Sequence, residues 1–166
     1  MYTALDISNF FISKGGVSPL KLQKLLYYSQ VWYFVKKKNS LFSDNIGAWV
    51  YGPAIYNVWS NFRFMKRSSD IPKFRAKEIN FPNNTLSHLE DVWNAYGHLT
   101  GAQLVDLTHS EKPWTISRQG YLDDQPSDKF ITIDDYTTSD YQLTQNNTIP
   151  KAIMPLNALG SFDNRI

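Results

Sequence analysis

Ser18-Pro19-Leu20-Lys21-Leu22-Gln23-Lys24-Leu25-Leu26-Tyr27-Tyr28-Ser29-Gln30-Val31-Trp32 is the stretch on which the fold turns. Ser18 can accept hydrogen bonds from the free amides of a helix start, and Pro19 at the first helical position loses nothing by lacking an amide hydrogen. Leu22, Leu25, Leu26, Ser29, Trp32 and Tyr33 fall on one stripe. Leu20, Tyr27, Tyr28, Val31 and Phe34 widen that stripe until the helix is apolar on most sides, the pattern of a central, buried helix. Lys36-Lys37-Lys38 complements the negative end of its dipole.

Working outward, Ala4–Lys14 reads as a helix with Leu5, Ile7, Phe10, Phe11 and Ile12 near helical spacing, stopped by Gly15-Gly16. Downstream, Ile46–Tyr51 has strand character. Gly52-Pro53 reads as a break, with Pro53 placed to start a helix over Ala54–Phe64 that carries Ile55, Val58, Trp59 and Phe62. Lys66–Pro82 is a basic connector, in which Ile79 and Phe81 suggest a short strand. Thr85–Tyr96 is a helix with Leu86, Leu89, Trp93 and Tyr96 on one face, ended by Gly97. Thr100-Gly101-Ala102-Gln103 fits a capping box before Leu104, Val105 and Leu107. Pro113 leads into a short last helical piece that Gly120 stops. The fold class is therefore mainly α: a compact multi-helix domain with a small β element near 46–51.

After Tyr121 the composition shifts to Asp, Thr, Ser, Asn and Gln. The division that follows is a helical domain over 1–120 and a polar C-terminal extension over 121–166 that packs weakly or only on a partner. Charge follows the same line: net +6 over 1–120 and −4 over 121–166, within a total of +2. Such asymmetry fits an acidic tail on a basic body, or a basic face that meets an acidic partner.

Function classes fall away in turn. The 166 residues include no cysteine, so there is no thiolate nucleophile and no disulfide, which fits an intracellular, cytoplasmic setting. Met1–Phe10 lacks the basic start of a secretory signal, and no apolar run approaches the ~20 residues of a membrane helix. His88, His98 and His109 lack zinc-helix spacing, so no metal site is expected. There is no Gly-x-Ser-x-Gly elbow, no P-loop and no dinucleotide fingerprint. Hence no catalytic residue, enzyme activity or cofactor is assigned. Arg63–Lys77, basic and carrying Phe64 and Phe74, raises nucleic-acid binding as a rival reading. The small net charge and the want of a polar recognition helix weigh against it.

Three blocks then stand in a recognisable order: Leu22-Gln23-Lys24-Leu25-Leu26-Tyr27-Tyr28, Ala48-Trp49-Val50-Tyr51-Gly52-Pro53, and Leu107-Thr108-His109-Ser110-Glu111-Lys112-Pro113-Trp114. Together they resemble the Panacea domain, the SocA-like antitoxin family that also includes phage-associated GepA-type proteins, over about residues 4–120. The resemblance implies a mostly helical fold and an antitoxin that neutralises a cognate protein toxin, often encoded beside it on a prophage. It also implies an alternative, an adaptor delivering a toxin to the ClpXP protease; the basic stretch Arg63–Lys77 leaves a further one, a nucleic-acid-binding regulator of a phage or mobile element. Family members tend to finish with an isoleucine and an acidic amphipathic helix. Here Ile131-Thr132-Ile133-Asp134-Asp135-Tyr136 begins similarly, but Thr137-Thr138-Ser139 disfavours helix.

The residues set aside for partner binding are Gln23, Lys24, Tyr27, Trp49, Tyr51, Gly52, Pro53, His109 and Trp114. For Gln23, Lys24 and Tyr27 two readings stand: hydrogen-bonding partners of the Tyr51–Pro53 turn, or contacts for a partner. Gly52 and Pro53 have a structural reading as a joint. Trp49 and Tyr51 are interface candidates because large aromatics anchor binding, although core packing is the favoured reading of Trp49. His109 beside Trp114 reads as a small polar cluster that fixes a turn, with the remnant of a ligand site as the other reading.

Overall fold

The computed structural model describes residues 1–136 and 140–154. Helix α1 (Ala4–Lys14) opens with a reciprocal cap: the Asp6 amide donates to Thr3 Oγ1 (3.1 Å) and the Thr3 amide to Asp6 Oδ2 (2.9 Å). Helix α2 (Pro19–Lys37) starts as its sequence dictates, with the Lys21 amide donating to Ser18 Oγ at 3.2 Å. Every residue from Leu20 to Trp32 is buried. A helix apolar on most sides belongs at the centre, and α2 is packed by α1, by α4 (Asn83–Tyr96) and by α5 (Gly101–His109).

The β element is a three-stranded antiparallel sheet in the order β2-β1-β3. Strands β1 (Ile46–Trp49) and β2 (Gly52–Ala54) form a tight hairpin, with Ala48 opposite Pro53 and Trp49 opposite Gly52. Strand β3 (Phe130–Ile131) flanks β1 on its other side, Ile46 opposite Ile131. Two short helices, α3 (Tyr56–Phe62) and α6 (Lys112–Ser117), and two 3-10 turns, Lys73–Arg75 and Ile133–Tyr136, complete the described elements. None of the described helices is long and apolar enough to cross a membrane.

The mainly α class and the small β element hold, and four local expectations change. Pro53 does not begin a helix. It lies in β2, an edge strand, where a residue without an amide hydrogen is tolerated. Helix α3 starts at Tyr56 rather than Ala54 because Ala54 completes β2 and Gln23 holds the Ile55 backbone. Its side-chain oxygen accepts from Ile55 N (2.7 Å) and its side-chain nitrogen donates to Ile55 O (3.2 Å). Ile79 and Phe81 form no strand. On α4 the buried face is Thr85, His88, Leu89, Val92 and Tyr96, while Leu86 faces solvent.

The segment after Tyr121 is not loosely attached where it is described. Ile131, Tyr136, Tyr141 and Ile149 join the same core as α2. The Tyr27 and Tyr141 hydroxyls share a hydrogen bond of 2.6 Å, and Ala152 N donates to Ala95 O at 3.0 Å. The expected departure at Thr137-Thr138-Ser139, and the tail beyond 154, lie outside the described residues.

Candidate partner-binding groove

The three sequence blocks, far apart in the chain, meet at the β1–β2 hairpin. Lys24 is buried and its ammonium donates to Pro53 O at 2.9 Å. Gly52 adopts φ +94, which L-residues rarely take, and a Cβ there would stand 2.7 Å from both Lys24 Cε and Thr108 Oγ1. The hairpin thus presses its backbone onto a lysine from α2 and a threonine from α5. Burial lowers the Lys24 pKa to about 7.

Behind the hairpin, His109 stacks on Trp114 with ring centroids 3.8 Å apart and planes 15° from parallel. Burial first, then the charges of Lys24 and Arg118, lower His109 to about 3, against a hydrogen bond to the Val50 backbone. Trp114 Nε1 donates to Trp49 O at 2.8 Å. Arg118, buried and 5.1 Å from the Trp114 ring, donates from Nη1 to Ala48 O and from Nη2 to Leu122 O, both at 2.8 Å. These bonds fix the central strand β1 and tie the chain after α6 to it.

A second buried polar cluster lies deeper. Glu111 accepts from the Tyr28 hydroxyl (2.8 Å, Oε1) and the Tyr141 hydroxyl (2.6 Å, Oε2). Burial pushes its carboxyl up to about 8, partly offset by the two tyrosine bonds. Burial thus favours the protonated acid, while the two tyrosine hydroxyls favour the carboxylate.

The front of the hairpin is open. A groove of about 830 Å³ runs between the hairpin, the start of α2 and α3. Trp49 and Tyr51 form one wall, Val58, Trp59 and Phe62 of α3 another, and Pro19 and Leu20 the base. Gln23, Lys24 and Gly52 close its floor. Trp49 and Trp59 meet edge to face, 5.8 Å apart at 76°. Arg63, Lys66 and Arg67 line the rim, and no acidic side chain lines the groove among the described residues. Arg67 lies over the Tyr51 ring at 4.3 Å and Arg63 over Trp59 at 5.7 Å.

The nine residues singled out in the sequence therefore separate. Lys24, Gly52, Pro53, His109 and Trp114 hold the hairpin to the helices, and Gln23 sets the start of α3. Tyr27 sits far inside, 1% exposed and bonded to Tyr141. Trp49 and Tyr51 are half-exposed on the groove wall. The sequence reading missed Trp59, which is 39% exposed rather than sealed in a helix face. It also missed Leu20 as a lining residue and Arg63 and Arg67 as rim. The basic, aromatic composition of Arg63–Lys77 next to the hairpin was the available signal. Among the described residues no group of three His, Asp or Glu side chains is placed to hold a metal ion.

No solved structure matches the chain. Over 92 residues it is 32% identical to the probable ribosome biogenesis GTPase A of Mycoplasma pneumoniae. That match takes in 55% of this chain and 34% of that protein, so the chain spans about a third of the length of the curated relative it matches. The family model described as "Antitoxin SocA-like, Panacea domain" matches residues 22–115, a span that holds most of α2, the hairpin, α3 and the Thr108–Trp114 block. With more than half of its residues under that model, the chain belongs to the SocA-like antitoxin, Panacea domain family.

Proposed function

We propose that this chain is the antitoxin of a toxin–antitoxin pair and neutralises its toxin in the cytoplasm by direct protein–protein contact through the hairpin groove. Membership of the antitoxin family carries the reading. The groove supports it, because partly exposed tryptophan and tyrosine with exposed arginine, set around apolar lining residues, are the kinds of side chain that anchor protein interfaces.

A non-catalytic role fits the titratable groups. Strongly shifted values often mark active sites, yet here Lys24, Glu111 and His88 each make a bond that holds the fold. Lys24 holds the hairpin, Glu111 holds two tyrosines, and His88, lowered to about 4 by burial, has Nε2 2.8 Å from Ser29 O. The name of the mycoplasma relative does not bring GTP hydrolysis with it. The match spans only 34% of that protein, and the present sequence contains no Gly-x-x-x-x-Gly-Lys-Ser/Thr loop to cradle phosphates.

The test is genetic. The reading frame adjacent to this gene is expressed alone and together with it, in cells with and without ClpXP. The expected result is growth arrest by the neighbour alone and restored growth with both, in either strain. A neighbour harmless by itself overturns the antitoxin reading, and rescue confined to cells with ClpXP overturns direct masking.

A further inference from the structure

The geometry points to an acidic segment of a protein partner, carrying an aromatic or aliphatic anchor, as the occupant of the groove; this deepens the reading of the groove as the partner-binding face. Its apolar part and its charged part are arranged as two separate zones. Leu20, Val58 and Phe62 with the Trp49–Trp59 pair give a slot for a large apolar side chain. Arg63, Lys66 and Arg67, all solvent-exposed, stand along one side of that slot. With no carboxylate among the described lining residues, nothing inside the groove neutralises them. A segment that places Asp or Glu beside its anchor meets both zones at once.

The arrangement of the rings separates a peptide from a single-stranded nucleic acid. Base stacking needs broad ring faces turned to solvent. Here the Tyr51 face is covered by the Arg67 guanidinium at 4.3 Å, and Trp59 carries Arg63 at 5.7 Å and Tyr56 at 5.6 Å. Trp49 meets Trp59 edge to face. What the rim offers outward is guanidinium N–H already oriented by the rings beneath, and a planar fork of this kind matches a carboxylate. The chain's net charge of +2 is also small for a protein that binds a polynucleotide backbone.

The test uses chemically defined probes and the full chain. Short random peptides displayed on phage are selected on the immobilised protein, with parallel selection on the Arg63→Glu/Arg67→Glu variant and on Trp59→Ser. All three side chains are exposed, and equal melting temperatures confirm that the variants fold. The expected outcome is enrichment of peptides combining Asp or Glu with Trp, Phe or Leu. Their binding should fall at least about 10-fold on either variant and weaken as salt rises from about 0.05 to about 0.3 M. Enrichment of neutral or basic peptides, no enrichment at all, or capture indifferent to both variants overturns the proposal. So does fluorescence anisotropy showing that labelled oligothymidylate binds the wild type more tightly than the selected peptides. The antitoxin reading stands or falls separately. Rescue by co-expression that survives Arg63→Glu/Arg67→Glu overturns the acidic occupant alone, whereas peptide selection as expected with a harmless neighbour overturns only the toxin.

Discussion

Gly52 shows how narrow the tolerance at the hairpin is. Both its positive φ and the closeness of Lys24 and Thr108 exclude a side chain. Gly52→Ala is expected to lower stability by at least about 2 kcal/mol, because the backbone strain adds to the clash; thermal melting measures it. Gln23 is the companion case. It satisfies both backbone groups of Ile55, so Gln23→Leu leaves the Ile55 amide buried without its partner, at a cost of roughly 1–3 kcal/mol in urea titration. Little of this can be read along the chain. A glycine after Tyr51 announces a special backbone, but the side chains that require it lie 28 residues before and 56 residues after it, on other elements. Local caps are different. Ser18 with Pro19, and Thr100 with Gln103, act within one turn of helix, and the sequence shows them directly.

At the scale of elements, helices were legible where their signals are local, and the hairpin was not. The Gly-Pro pair suggested a helix start because proline is common there. What makes Pro53 a strand residue is its pairing with Ala48 and its place at the sheet edge. The C-terminal segment misled for a related reason. Tyr136 and Tyr141 stand alone among polar residues, with no period to betray burial. Their pocket is made by Tyr27, more than 100 residues away. Glu111 joins that segment to α2, and its titration gives a test. Its folded pKa, about 8, lies above the ordinary carboxylate value, so the folded state holds the proton more tightly. The stability this contributes is full below the ordinary value and is lost as pH rises towards 8. Replacement by Gln, which mimics the protonated acid, removes that dependence. Urea denaturation at pH 5 and pH 8 is expected to show Glu111→Gln gaining on the wild type by roughly a few kcal/mol at the higher pH. A constant difference would mean the carboxyl stays ionised throughout.

For the molecule as a whole, the family blocks serve mainly as scaffold. Lys24, Gly52, Thr108 and Trp114, with Arg118 just beyond them, hold one hairpin against a buried helix, and that places Trp49 and Tyr51 opposite α3. The groove between them has no motif of its own, since its rim comes from a connector without periodicity. That is why the candidate site was only partly legible, through Trp49, Tyr51 and the basic stretch after Arg63. The most direct measurement of the central claim is titration calorimetry between this protein and the purified product of the adjacent reading frame. It compares the wild type with Trp59→Ser/Arg67→Glu, checked for an unchanged melting temperature. A saturable complex with the wild type, weakened by at least about 100-fold in the variant, is the predicted result. Equal affinity for both proteins would contradict the account.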